Sequence, residues 1–345
     1  MIDLRTDTVT SPTPGMRRAI AAAVVGDEQK GEDPTTRLLE ERVAELLGAG
    51  AAVFVPSATM ANQIALQLWS RPGEALVLSA GSHLVHSEAG GPAALAGLML
   101  QPISSVDGRF DAPTLAALAS AGGVEKPRTA LMSVENSHSN SGGRVWPLAL
   151  LDAVVAEANS LGIRTHLDGA RLLNAALTCG VAAGRLAGGF DSTTFCLSKG
   201  LGCPLGALLA VPADREIEAR RIKQRLGGAM RQSGMLAAAG QYALEHHVGR
   251  LAEDHRRASR LAELLSDTVF AVDPSAVETN VVLLDAAATG LSREELMARL
   301  RAGGVLLSAL PQPGQLRAVT HLDIDDAAID RAAEVIRSVL AGAAR

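Results

Sequence analysis

Thr193-Thr194-Phe195-Cys196-Leu197-Ser198-Lys199-Gly200-Leu201 and, five residues on, Gly206-Ala207-Leu208-Leu209-Ala210-Val211 decide how this chain is read. Two apolar runs of strand length flank a single lysine set between a serine and a glycine. Taking an ammonium out of water is costly unless it is paired or neutralised. A desolvated lysine loses its proton more readily, and the neutral amine is the form that adds to a carbonyl carbon. Upstream, at the end of another apolar run, stands His166-Leu167-Asp168-Gly169-Ala170-Arg171. A lysine at one strand end and a carboxylate at a neighbouring one point to chemistry at the edge of a sheet.

Working outward, apolar runs alternate with stretches of helical period, the pattern of an α/β fold with crossover helices. Strands are expected at 51–55, 75–78, 97–102, 129–134, 164–168, 192–197 and 206–211, which predicts a mostly parallel, seven-stranded sheet. Several are continuous rather than alternating, as when helices cover both faces. Helices are expected at 59–70, 88–96, 148–161, 213–226 and 231–265, the last long enough to join two domains. From about Phe270 the pattern restarts with strands at 280–284, 304–307 and 315–320 and helices at 292–302 and 327–341, a smaller α+β unit. The expected division is an N-terminal segment over 1–30, a large domain over 31–250 and a small C-terminal domain over 251–345.

Composition narrows the function classes. Of 345 residues 48% are hydrophobic, enough for a sizeable core, while aromatics at 2% leave few platforms for stacking bases. Lys+Arg of 32 against Asp+Glu of 37 gives −5, which argues against a polyanionic partner such as nucleic acid. The basic cluster Arg220-Arg221-Ile222-Lys223-Gln224-Arg225 reads as the polar face of a helix. Cys179, Cys196 and Cys203 fit neither a disulfide framework nor a zinc site and read as buried, reduced thiols. With charges in Met1-Ile2-Asp3-Leu4-Arg5 and no apolar stretch of membrane-spanning length, the chain reads as soluble and cytoplasmic.

The motifs carry the chemistry. Lys199 and Asp168 are the two anchors of a pyridoxal 5'-phosphate site: the lysine for the cofactor aldehyde, the carboxylate to keep the ring nitrogen protonated. Pro56-Ser57-Ala58-Thr59 opens a helix after the first strand, so Ser57, Thr59 and the Ala58 N–H are assigned to a phosphate. On its own, this segment would be an ordinary helix cap. His83 stands where an imidazole can stack on a planar ring and move protons, with Glu88 placed to orient it. Arg171 is expected to grip a substrate carboxylate in a two-pronged hydrogen bond, with Arg317 as a second clamp. No metal site is expected.

With these residues in view, the chain resembles the low-specificity L-threonine aldolases of the pyridoxal-phosphate fold type I superfamily. The resemblance rests on Asp3-Leu4-Arg5-Thr6-Asp7-Thr8-Val9-Thr10, Gly31-Glu32-Asp33-Pro34-Thr35, Glu135-Asn136-Ser137-His138, Asp168-Gly169-Ala170-Arg171, Leu197-Ser198-Lys199-Gly200-Leu201, Met230-Arg231-Gln232-Ser233-Gly234 and Arg317-Ala318-Val319-Thr320-His321. It implies a fold type I transferase-like architecture, Lys199 holding the cofactor as an imine, Asp168 on the ring nitrogen and His83 on the ring face. Thr6, Arg171 and Arg317 would bind the amino-acid carboxylate. Arg231 would reach the phosphate of a neighbouring subunit, giving a homo-oligomer with shared sites, a dimer at least and a tetramer by family habit. The implied reaction is cleavage of L-β-hydroxy-α-amino acids to glycine and an aldehyde, with β-elimination or glycyl transfer as the alternative.

Some positions depart from the family pattern. Lys30 stands where a tyrosine is usual, Ser87 where an aromatic residue is common, and Glu125 where a histidine helps recognise the β-hydroxyl; Ala58 and Ala229 replace glycines. The first three surround the side-chain end of the implied substrate pocket. Two readings stay open: a shifted substrate preference, or neutral change in loops. A cofactor-binding regulatory module and a nicotinamide dehydrogenase fit less well. Both carboxylate clamps are intact, and no Gly-x-Gly-x-x-Gly turn follows the first strand.

Overall fold

Runs such as Ala75–Ser79 and Ala207–Val211 lack polar alternation because both their faces are covered, and every residue in them is buried. The computed structural model describes residues 1–270 and 272–343. Seven strands form one sheet, in the spatial order Ala51–Val55, Ala207–Val211, Ser192–Cys196, Arg164–Gly169, Thr129–Glu135, Ala75–Ser79 and Met99–Ile103. Ala207–Val211 pairs antiparallel with both neighbours, and every other pairing is parallel. The sheet is therefore mostly parallel, as expected. The first two strands of the sheet in sequence lie far apart within it. The crevice beyond the carboxyl ends of the strands between them is where open α/β sheets bind ligands.

Helix Ala58–Trp69 starts where Ser57 Oγ accepts from the Met60 N–H at 3.2 Å. Helix Pro34–Leu47 begins on the Asp33 cap with proline in its first turn and ends at Gly48, whose φ of 66° suits glycine. This helix was not among those expected, nor were Pro14–Ala21, Ala112–Leu118 and Leu172–Cys179.

Three sequence expectations need correction. The long helix over 231–265 is two helices, Gly234–His246 and Leu251–Leu265, separated around Gly249. There His247 Nδ1 bonds the Leu201 carbonyl at 2.7 Å, a tertiary tie that outcompetes helix continuation. The helix over 88–96 is a short turn, His83–His86, and a helix Gly91–Ala96, broken at Ala89 with φ 51°. The basic cluster of helix Glu216–Arg225 is not a solvated face throughout. Lys223 is 1% exposed and donates to Glu28 Oε1 at 2.6 Å, and Arg220 reaches Glu40. Burial lowers the Lys223 ammonium pKa more than Glu28 restores it. Of the cysteines, Cys196 and Cys203 are buried as expected, while Cys179 is half-buried.

A second core gathers Leu4, Leu261, Leu265, Val282, Leu296, Leu316 and Ile336. Around it lie the antiparallel strands Val281–Asp285 and Gln315–Val319 and the helices Arg293–Ala302 and Asp326–Ala343. The chain's start belongs here: Ile2–Asp3 pairs parallel with Val305–Leu306, and the Val319 N–H donates to the Leu4 carbonyl at 2.8 Å. These bonds carry residues 6–10 to the mouth of the crevice. Among the described residues no helix is long and apolar enough to cross a membrane.

Candidate active site

The carboxyl ends of strands Thr129–Glu135, Arg164–Gly169 and Ser192–Cys196 deliver Glu135, Asp168 and, after a short turn, Lys199 to one place. Asp168 is 3% exposed; its Oδ1 accepts from the Ala170 N–H at 3.1 Å and its Oδ2 from Asn62 Nδ2 at 2.8 Å. Lys199 is half-buried, and its Nζ contacts Cys196 Sγ at 3.5 Å, with no carboxylate paired to it among the described residues. Its carbonyl accepts from Thr10 Oγ1 at 3.1 Å, fastening the N-terminal segment beside it.

His83 opens its helical turn with its N–H on Glu135 Oε2 at 2.8 Å and its Nδ1 on Glu88 Oε1 at 2.9 Å. Glu88 thus orients the imidazole, from a bend rather than from a helix. Burial works against the imidazolium, but Glu88, Asp168 and Glu135 outweigh it, and the His83 pKa is raised. His83, Glu88 and Asp168 have ligand atoms within 4.8 Å of one another. However, Glu88 Oε1 is already occupied by His83 and by Asn62, 2.8 Å away, so the set is built as a hydrogen-bonded network.

Arg171 and Arg317 are held differently from one another. Arg171 spends its two-pronged edge on Asp7, with Nε to Oδ2 at 2.7 Å and Nη2 to Oδ1 at 2.6 Å. Only its Nη1 points onward, to Ser139 Oγ at 3.1 Å. Arg317 Nη1 meets the same hydroxyl at 2.9 Å, and its buried Nε has no partner. No carboxylate pairs with Arg317 among the described residues. Burial and the neighbouring Arg171 bring its pKa down to about 10. Two guanidinium groups thus converge on one serine, and one of them has no anion beside it among the described residues. Asp7 is fully buried; burial would raise its pKa, but the charge and hydrogen bonds of Arg171 take it down to about 2. Thr6 lies next to this pair, with its Oγ1 on Thr8 Oγ1 at 3.1 Å.

Residues 3–289 match the beta-eliminating lyase family. The chain belongs to that family. Among its relatives, it is 39% identical over 347 aligned residues to the low specificity L-threonine aldolase of Escherichia coli K12, covering 99% of this chain and 100% of that one. It is 37% identical to low-specificity L-threonine aldolase 1 of Arabidopsis thaliana, covering 94% of this chain and 92% of the other. Among solved structures, the Leishmania major threonine aldolase superposes with a TM-score of 0.83 at 19% identity, covering 99% of this chain and all of that one, a likeness of fold.

The structure gathers His83, Asp168, Arg171, Lys199 and Arg317 around the crevice, while the Thr6 hydroxyl is bonded to Thr8. It does not bring Lys30, Glu125 or Arg231 to them. Lys30 is exposed, with Asp27 at 3.9 Å, and Glu125 lies in an exposed loop. Arg231 faces solvent and bonds Gln29 at 2.6 Å. Ser57 is exposed, and Ala58 and Thr59 half-buried, at a helix N-terminus that Ser57 itself caps. A cavity of about 630 Å³ lies elsewhere, between helices Pro34–Leu47 and Glu216–Arg225, and no residue of the Lys199 cluster lines it. Sequence reasoning missed Asp7, Asn62, Glu135 and Ser139 as parts of the site. Asn62 and Gln63 had a signal, being adjacent amides inside an apolar helical run.

Proposed function

We propose that the chain is a pyridoxal-phosphate-dependent lyase that cleaves L-β-hydroxy-α-amino acids of the threonine type to glycine and an aldehyde. The observation that carries this reading is the anion-short Arg317 beside Arg171, at the same sheet edge as Lys199 and the buried Asp168. The donor set fits the cofactor: a buried carboxylate for a protonated ring nitrogen, an amine free of carboxylates, and a hydroxyl-lined helix N-terminus for a phosphate. When bound, pyridoxal phosphate supplies an electron-accepting ring that stabilises the electron pair left by the broken Cα–Cβ bond.

The chain's own groups do the rest. Lys199 would provide the amine that holds the cofactor's aldehyde carbon, and Asp168 would keep a positive charge on the ring nitrogen. Arg317 and the Nη1 of Arg171 hold the substrate carboxylate, with Thr6 beside them, and this orients the bond to be cleaved. His83 has Nδ1 committed to Glu88, so Nε2 is the atom that exchanges a proton with the substrate.

We infer that Arg231, exposed and bonded to Gln29 and Asp27, serves a neighbouring copy, giving a dimer with shared sites and a tetramer of two such dimers. We infer a large domain over 31–250 and a small one over 251–345, with Leu4 of the N-terminal segment packed into the core of the latter. Cys196 and Cys203 as free thiols suit the cytoplasm. Of the two readings left open, neutral change in loops fits Lys30 and Glu125, which are exposed and away from the cluster, and a pocket shifted toward bulkier or more polar β-substituents rests on Ser87, which follows the His83 turn.

Steady-state kinetics on threonine, allo-threonine and phenylserine, with products identified, tests the reaction. Glycine with an aldehyde is expected. A 2-oxo acid with ammonia would instead establish β-elimination, the alternative that the family's name favours. A preference for threonine over phenylserine would defeat the shifted pocket.

A further inference from the structure

We propose that Asn62 is a positioning residue that locks the carboxylates of Asp168 and Glu88 side by side and so fixes which nitrogen of His83 is free to exchange a proton. The side-chain amide has two hydrogens on Nδ2. One goes to Asp168 Oδ2 and the other to Glu88 Oε1, both at 2.8 Å. Its Oδ1 accepts from Thr194 Oγ1 at 2.7 Å and from His166 Nε2 at 3.1 Å. The amide has only one workable orientation, because turning it over would aim its oxygen at two carboxylates.

The bonds behind Asn62 agree with this orientation. His166 is fully buried and its pKa is pushed down to about 4 by burial, so it is neutral, and Nε2, which faces Asn62 Oδ1 at 3.1 Å, carries its single N–H. Its Nδ1 then accepts from Ser192 Oγ at 2.9 Å, and that oxygen accepts from Trp69 Nε1 at 2.9 Å. From Trp69 to Glu88 each hydrogen has one acceptor. On the far side Gln63 Nε2 holds Glu88 Oε2 at 2.6 Å, leaving Oε1 to take His83 Nδ1–H. The charged groups facing His83 are Glu88, Asp168 and, from the adjacent strand, Glu135. Without the amide, two carboxylates 5% and 3% exposed would share a site with no donor between them, and one would take up a proton. The negative charge facing His83 would fall, and its proton affinity with it.

The test uses the full chain freed of cofactor, with ¹⁵N-labelled histidine followed by NMR against pH and His83 assigned through His83→Asn. In Asn62→Leu the His83 midpoint is expected to drop by about one unit. The pyridoxal phosphate dissociation constant is expected to rise about tenfold or more. In Asn62→Asp a protonated carboxyl offers one O–H donor, so cofactor affinity should recover toward wild type as pH falls, which Asn62→Leu cannot do. An unchanged His83 midpoint in folded Asn62→Leu, or identical pH profiles for the two variants, overturns the proposal. Should both variants unfold, the wild-type Asn62 side-chain amide decides. Its shifts must follow the His83 titration, and a flat response overturns the proposal. The inference rests on the functional reading above, but the two fail separately. A wild-type chain that binds no pyridoxal phosphate ends that reading, whereas the His83 titration needs no cofactor.

Discussion

Asp7→Asn removes one charge from the most deeply buried ion pair of the site, where Asp7 and Arg171 are 1% and 4% exposed at their side chains. A carboxyl taken from its usual 3.8 to about 2 contributes about 2.5 kcal/mol of stability. Its folded pKa is depressed, so this contribution is full above pH 3.8 and is lost as pH falls through 2. The substitution also strands the Arg171 guanidinium in a dry place, and breaking a buried pair costs roughly 3–5 kcal/mol. The larger figure governs at pH 7, because the asparagine keeps the shape but not the charge. Urea unfolding followed by Trp146 fluorescence is the assay. That indole is fully buried and donates to the Glu135 carbonyl at 3.2 Å, so it reports on the same strand end. A loss of about 3 kcal/mol or more is expected, together with a higher KM as Arg171 swings free. A variant within about 0.5 kcal/mol of wild type would refute the claim that Asp7 holds this arginine.

Other expectations follow from single contacts. His166 has a folded pKa near 4 against 6.5 unfolded, so its contribution is full above 6.5 and is lost as pH falls toward 4, about 3 kcal/mol in all. His166→Gln should therefore flatten the stability loss between pH 7 and pH 4.5, and an equal loss in both proteins contradicts this. Arg317→Leu should raise KM about tenfold to a hundredfold while the bound cofactor's spectrum stays put, and a KM within twofold of wild type rules out its carboxylate role. Lys223→Met takes from the Glu28 carboxylate its direct partner and leaves it Arg220 at 3.7 Å and the Met230 N–H at 3.0 Å, costing about 3 kcal/mol in thermal or urea unfolding. Adding Glu28→Gln should return part of that, and no recovery would mean that the pair is not coupled.

The sheet was legible because its strands are short, apolar and separated by turn residues, and the site's anchors were legible because Lys199 and Asp168 sit at strand ends. Local signals failed where tertiary bonds decided. The break between His246 and Leu251 depends on His247 bonding Leu201, and the burial of Lys223 depends on Glu28, which is remote in sequence. Arg171 was read as free to grip a substrate because its partner Asp7 lies 164 positions away. Ser139, which gathers both arginines, offers no pattern at all. Helix Pro34–Leu47 was readable and missed: Asp33-Pro34 at its start and Gly48 at its end are ordinary helix boundaries.

The most direct test is borohydride reduction of the purified protein with pyridoxal phosphate, followed by mass mapping of the labelled peptide. The account predicts one reduced cofactor, fixed on the peptide containing Lys199, and none in Lys199→Ala, which should also stop releasing glycine from threonine. Label on a different lysine, or a Lys199→Ala protein that cleaves threonine at the wild-type rate, would contradict it.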